Sequence, residues 1–114
     1  MRRLCMLIAL LAAAASANAA DYPLMGVGSR TCGQFGSAYQ KFPQVAENDF
    51  FSWAQGFMSG LNMALSTGER KNLAGKPIEE EQSILRQYCN DHPLDDFYRA
   101  VYNLYSDLPN SRGK

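Results

Sequence analysis

No charge sign dominates this sequence: 11 Lys and Arg stand against 11 Asp and Glu in 114 residues. That balance excludes the basic composition of a nucleic-acid binder and the polybasic patch of a membrane-surface protein. Histidine is nearly absent, with His92 alone. The sequence has no CxxC pair, no HExxH, no GxSxG, no haem CxxCH and no Gly-rich phosphate loop. No cofactor or metal is implied, and the chain reads as a non-enzyme. No apolar run reaches the roughly 20 residues of a bilayer span. There is no alternating strand pattern and no internal repeat. The length leaves room for one small domain.

What is present begins with an address. Arg2 and Arg3 precede an apolar run from Leu4 to Ala15, and Ala17-Asn18-Ala19 supplies small residues for a cleavage site. This is the three-part pattern of a secretory signal peptide, residues 1–19, cleaved near Ala19. Loss of Arg2 and Arg3 from the 11 basic residues leaves nine against 11 acids, so the mature chain is slightly acidic. The expected location is the periplasm or the cell exterior, as a soluble protein without a membrane span.

Cys5 falls within the signal, leaving Cys32 and Cys89. An even pair in an exported chain reads as a disulfide. Two free thiols in a redox or metal site are the alternative, without the usual CxxC spacing or a second His to support it.

The rest reads as helices. Residues 20–30 contain Pro23, Gly26 and Gly28 and should form an arm. Thr31-Cys32-Gly33-Gln34 fits a capping box, opening a helix to about Lys41. Pro43 suits the first turn of a second helix. Its apolar residues from Phe50 to Leu65 recur at a 3.6-residue period, and Gly68 is the expected stop. Ser52, Gly56, Gly60 and Ala64 form a ridge of small side chains along it. Because helical glycine costs about 1 kcal/mol relative to Ala, the ridge reads as a surface for close packing of another helix. A groove for a partner chain is the sharper alternative.

Pro77 opens a third helix, with Glu79, Glu80 and Glu81 as a solvated run matched to the helix dipole. Ile78, Ile84, Leu85, Tyr88 and Cys89 are its expected buried stripe. Pro93 starts a fourth, striped from Leu94 through Phe97, Val101 and Leu104 to Leu108, with Pro109 beyond it. The expected fold class is all-α, a small four-helix domain over residues 31–110 with one disulfide, followed by a tail from 111 to 114. His92 beside Asp91 is the one general-base pair, though a His before Pro93 is better read as a turn residue. Asp91, Asp95 and Asp96 lack the spacing of a calcium loop. Trp53, Gly56, Phe57, Gly60 and Tyr102 are the candidate partner-binding face, since surplus aromatic surface suits protein binding.

Three segments carry a resemblance: Thr31-Cys32-Gly33-Gln34-Phe35, Tyr88-Cys89 before Asn90-Asp91-His92-Pro93, and Ser106-Asp107-Leu108-Pro109-Asn110. Together they resemble the HdeA/HdeB acid-stress chaperones. The resemblance implies a Cys32–Cys89 disulfide and a periplasmic protein, often a homodimer. It further implies loosening in acid that exposes apolar surface to unfolded clients. The run from Ser52 to Asn62 departs from that pattern. The Gly-rich central helix is also similar, more weakly, to the Tai immunity proteins, which bind and neutralise a specific toxin. Charge fits an acid response: nine basic residues plus His92 would give about +10 near pH 2.

Overall fold

The computed structural model describes residues 23–111. Among them are four helices and no strand: α1 (Cys32–Lys41), α2 (Pro43–Ala64), α3 (Ile78–Asp91) and α4 (Phe97–Asp107). The expected all-α, four-helix class holds. Short 3₁₀ turns occupy Gly26–Ser29 and Thr67–Glu69. The signal segment 1–19 lies outside the described residues, as do Arg112, Gly113 and Lys114 of the tail.

The start of α1 shows how local sequence and tertiary contact combine. Thr31 Oγ1 accepts from the Gln34 N–H at 3.1 Å, and Gln34 Oε1 accepts from the Thr31 N–H at 2.9 Å, completing the capping box. The remaining first-turn donors find partners from a distant loop. Cys32 N–H reaches the Asp95 carbonyl at 2.7 Å, and Gly33 N–H the Pro93 carbonyl at 2.9 Å. Phe97 N–H returns a bond to the Arg30 carbonyl at 2.7 Å. The orphan donors of the helix start are thereby used internally.

Phe35, Phe50 and Phe97 build the core from α1, α2 and α4. Their ring centroids lie 4.5 to 5.3 Å apart, within the range of favourable aromatic pairs. Ala54, Met58, Leu85, Val101, Leu104 and Leu108 complete the apolar centre. Cys32 and Cys89 are disulfide-bonded and buried, with Cα atoms 4.6 Å apart, clamping α1 to α3. Both α1 and α4 pack against α2 and α3, whereas α2 and α3 have little direct packing with each other. An ion pair spans that gap: Arg86 Nη1 donates to Glu47 Oε2 at 2.8 Å.

Several boundaries and faces differ from the sequence expectation. Helix α2 ends at Ala64 rather than near Gly68, because Leu65 turns extended and stays half-buried. Asn62 then fastens the following chain. Its Nδ2 donates to the Lys71 carbonyl, while its Oδ1 accepts from the Lys71 N–H and the Tyr105 hydroxyl. Arg70 Nε donates to the Leu65 carbonyl near the helix end. Helix α4 starts at Phe97, not Pro93, and Leu94 is 91% exposed, outside the stripe. Ile78, expected in the α3 stripe, is half-exposed, and Glu81 takes a buried place there instead. Glu79 and Glu80 are exposed, so only part of the acidic run is a solvated end.

Candidate functional site

The outward side of α2 is the feature that the core does not account for. From Phe50 to Gly68 the chain carries no charged residue. Its inward stripe of Phe50, Phe51, Ala54 and Met58 is buried. Ser52, Gln55, Gly56, Ser59, Gly60, Met63 and Ala64 are exposed. An exposed helical face of that length normally carries charges, because they cost nothing in water and favour solubility.

Among the described residues, nothing packs closely on the small-residue ridge. A Cβ at Gly56 or Gly60 would meet nothing within 4 Å. Both glycines face open space, which corrects the expectation that another helix lies against them. Met63, at the C-terminal end of the same side, is 83% exposed.

Trp53 and Phe57 flank this ridge, with rings stacked at 5.1 Å. The arm covers one edge of them. Trp53 Nε1 donates to the Met25 carbonyl at 2.9 Å. Gly28 lies flat on the indole, where a Cβ would stand 2.0 Å from a ring carbon. Residues 23–30 are therefore a fitted cover for Trp53, and both aromatics are half-buried. The sequence marked Gly28 only as part of the arm; a glycine there carries no signal of what it will touch.

Tyr102 lies elsewhere. It is exposed on α4 and lines a shallow cleft with Tyr88, Tyr98, Arg99, Asn103 and Ser106. The candidate binding residues thus divide into an open ridge (Gly56, Gly60), an arm-covered aromatic pair (Trp53, Phe57) and a separate tyrosine. Near that tyrosine, the Tyr88 hydroxyl donates to Asp95 Oδ2 at 2.7 Å, and this bond raises the Tyr88 pKa above 10.0.

On the other edge of the ridge is a groove of about 450 Å³. Its walls are Gln55, Met58 and Ser59 of α2, the 73–77 segment, and Ile78 and Glu81 of α3. Glu81 is 3% exposed, and its Oε1 has no hydrogen-bond partner among the described residues. Desolvation raises its pKa, opposed by the nearby Lys76 charge and reinforced by Glu80. The sequence held a signal for this residue. Position 81 lies three after Ile78 and four before Leu85, squarely on the buried stripe.

His92 closes α3 and rests its ring against Tyr88 at 4.4 Å. Asp91 accepts from Gln87, and Asp95 from Tyr88. Among the described residues, no three His, Cys, Asp or Glu come together as a metal-holding group, and no helix is long and apolar enough to cross a membrane. No family model, curated protein or solved structure matches the chain.

Proposed function

We propose that this chain is an exported binding protein for other polypeptides, and that it captures unfolding clients in acid, as the resemblance to HdeA/HdeB implies. The supporting observation is the outer side of α2 from Phe50 onward, which carries no charge, with its open Gly56–Gly60 ridge and exposed Met63. A backbone or apolar side chain can approach glycine more closely than any other residue, and no ordered charge has to be desolvated there. Acid would enlarge this surface. In acid the chain's net charge becomes strongly positive, and that self-repulsion would loosen the packing.

The test is light scattering of an acid-denatured client at pH 2 to 4, with and without the protein. Suppressed aggregation is expected, and Gly60→Arg should abolish it while leaving the circular dichroism unchanged. Unchanged aggregation with the unaltered protein refutes the chaperone reading.

A second reading is an inhibitor or immunity protein for one specific partner near neutral pH. It is favoured because the ridge is open in the folded chain and needs no acid to expose it. Stoichiometric binding at neutral pH to a toxin encoded beside this gene would support it. Absence of such a neighbour counts against it.

A further inference from the structure

We infer that the groove between α2 and the start of α3 is a binding site for a small alkylammonium ion, with the apolar stem along Met58, Leu73 and Ile78 and the ammonium head at Glu81. This site is separate from the ridge and does not depend on the polypeptide-binding reading.

Glu81 supplies the first argument. A carboxyl group that is 3% exposed with one oxygen unpartnered leaves an acceptor without compensation, which folding alone does not favour. An N–H donor arriving through the groove would supply the missing bond. The second argument is charge. Three carboxylates occupy the first turn of α3, and Lys76 is the one cation lining the groove. Lys76 Nζ already pairs with Glu80 Oε1 at 3.3 Å. The α2 wall contributes Gln55, Met58 and Ser59, none of them charged. With Lys76 paired to Glu80, the Glu81 carboxylate is the uncompensated charge of the wall, so a cationic head is complementary and an anionic one is not. The third is shape and lining. The lining combines apolar Met58, Leu73, Pro77 and Ile78 with the Glu81 carboxylate, and the volume exceeds the need of a six-carbon chain. Oε1 itself is closed to solvent, so the head must displace part of the wall. Ile78 lines the groove and is half-exposed, so its side chain can be displaced at little cost in buried packing.

Burial holds the Glu81 pKa above its ordinary value, with Lys76 and Glu80 as the charged groups facing it. Ammonium binding therefore strengthens as pH rises through that raised value and weakens in acid, the reverse of acid-triggered client capture.

The experiment is an NMR titration of the full ¹⁵N-labelled chain near pH 7 with n-hexylammonium, 1-hexanol, hexanoate and a capped lysine. Hexylammonium should shift the amides of Gln55, Ser59, Ala74 and Ile78, with a Kd of about 1 mM for so few heavy atoms. Hexanol and hexanoate should bind roughly tenfold more weakly or worse, by loss of the charge-assisted bond. Glu81→Gln, which keeps the side-chain volume, should weaken hexylammonium by about tenfold. Ser59→Trp, at an exposed position, should fill the groove and remove the shifts, giving a second variant if Glu81→Gln does not fold. Equal binding of hexanol and hexylammonium, or hexylammonium binding unchanged by Glu81→Gln, overturns the proposal. Tighter binding of the capped lysine would assign the groove to a lysine side chain of a polypeptide and overturn a small alkylammonium ion as the ligand.

Discussion

Replacing Gly56 and Gly60 with alanine should stabilise this protein, while the same replacement at Gly28 should destabilise it. Both α2 glycines have negative φ in a regular helix interior, and an added Cβ meets nothing within 4 Å. Alanine then removes only the entropic penalty of helical glycine, about 0.8 to 1.0 kcal/mol at each site. The double variant should gain about 2 kcal/mol, which for a domain of this size raises Tm by roughly 10 °C. At Gly28 the new Cβ would lie 2.0 Å from the Trp53 ring, well inside van der Waals contact. The arm must lift, losing the Trp53–Met25 hydrogen bond and its packing, at a cost of about 1 to 3 kcal/mol. Trp53 is the sole tryptophan, so its fluorescence in urea titrations reports both effects. Gly28→Ala should also shift the native emission to the red as the indole gains water. If Gly56→Ala and Gly60→Ala lower the midpoint instead, the ridge is packed against something and is not free. If they stabilise the fold yet abolish client capture, stability and binding compete at the same two positions, as the proposed function requires.

Three further outcomes are expected. Reduction of the Cys32–Cys89 bridge, which joins residues 57 apart in sequence, should remove about 4 kcal/mol from the stability by chain-entropy reasoning; calorimetry with and without reductant measures it, and an unchanged Tm refutes it. Glu81 has a raised native pKa, so the folded chain keeps a proton that the unfolded chain releases near 4.5; that stabilisation is complete below about 4.5 and is lost as pH rises through the native value. Glu81→Gln should accordingly raise the urea midpoint at about pH 7 and have less effect at about pH 4, and a larger gain in acid would reverse the assignment. Asn62→Ala should cost about 2 kcal/mol in chemical denaturation, because it leaves the nearly buried Tyr105 hydroxyl and the Lys71 backbone without their partner; a change below about 0.5 kcal/mol, within the range of an ordinary surface substitution, would show the clamp to be unimportant.

Periodicity and local chemistry made four helices legible in the sequence. The capping box at Thr31 and Pro43 at the start of α2 act through neighbours a few residues away, so no fold is needed to read them. The cysteine pair was legible for the same kind of reason, since setting Cys5 aside with the expected signal segment leaves a single pairing. Helix ends were less legible where distant groups decide them. The end of α2 depends on Asn62 holding Lys71, and the first turn of α1 on carbonyls from the loop at Pro93 and Asp95. Charge overrode periodicity at one position: the spacing puts position 81 on the inward face of α3, but its carboxylate led to the expectation of solvent.

The ridge marks the clearest division between the two kinds of information. Sequence alone placed Ser52, Gly56, Gly60 and Ala64 on one side of a helix, because a four-residue spacing has only one geometric meaning there. It could not say what stands opposite, since that depends on how α1, α3 and α4 share the remaining faces of α2. The fold puts α1 and α4 on the aromatic stripe, gives Trp53 to the arm through Gly28, and leaves the glycines facing open space. Backbone periodicity is a local property of the chain, whereas exposure is a property of the whole packing arrangement. The sequence therefore determined that the ridge exists, and only the tertiary structure decided that it stands open among the described residues.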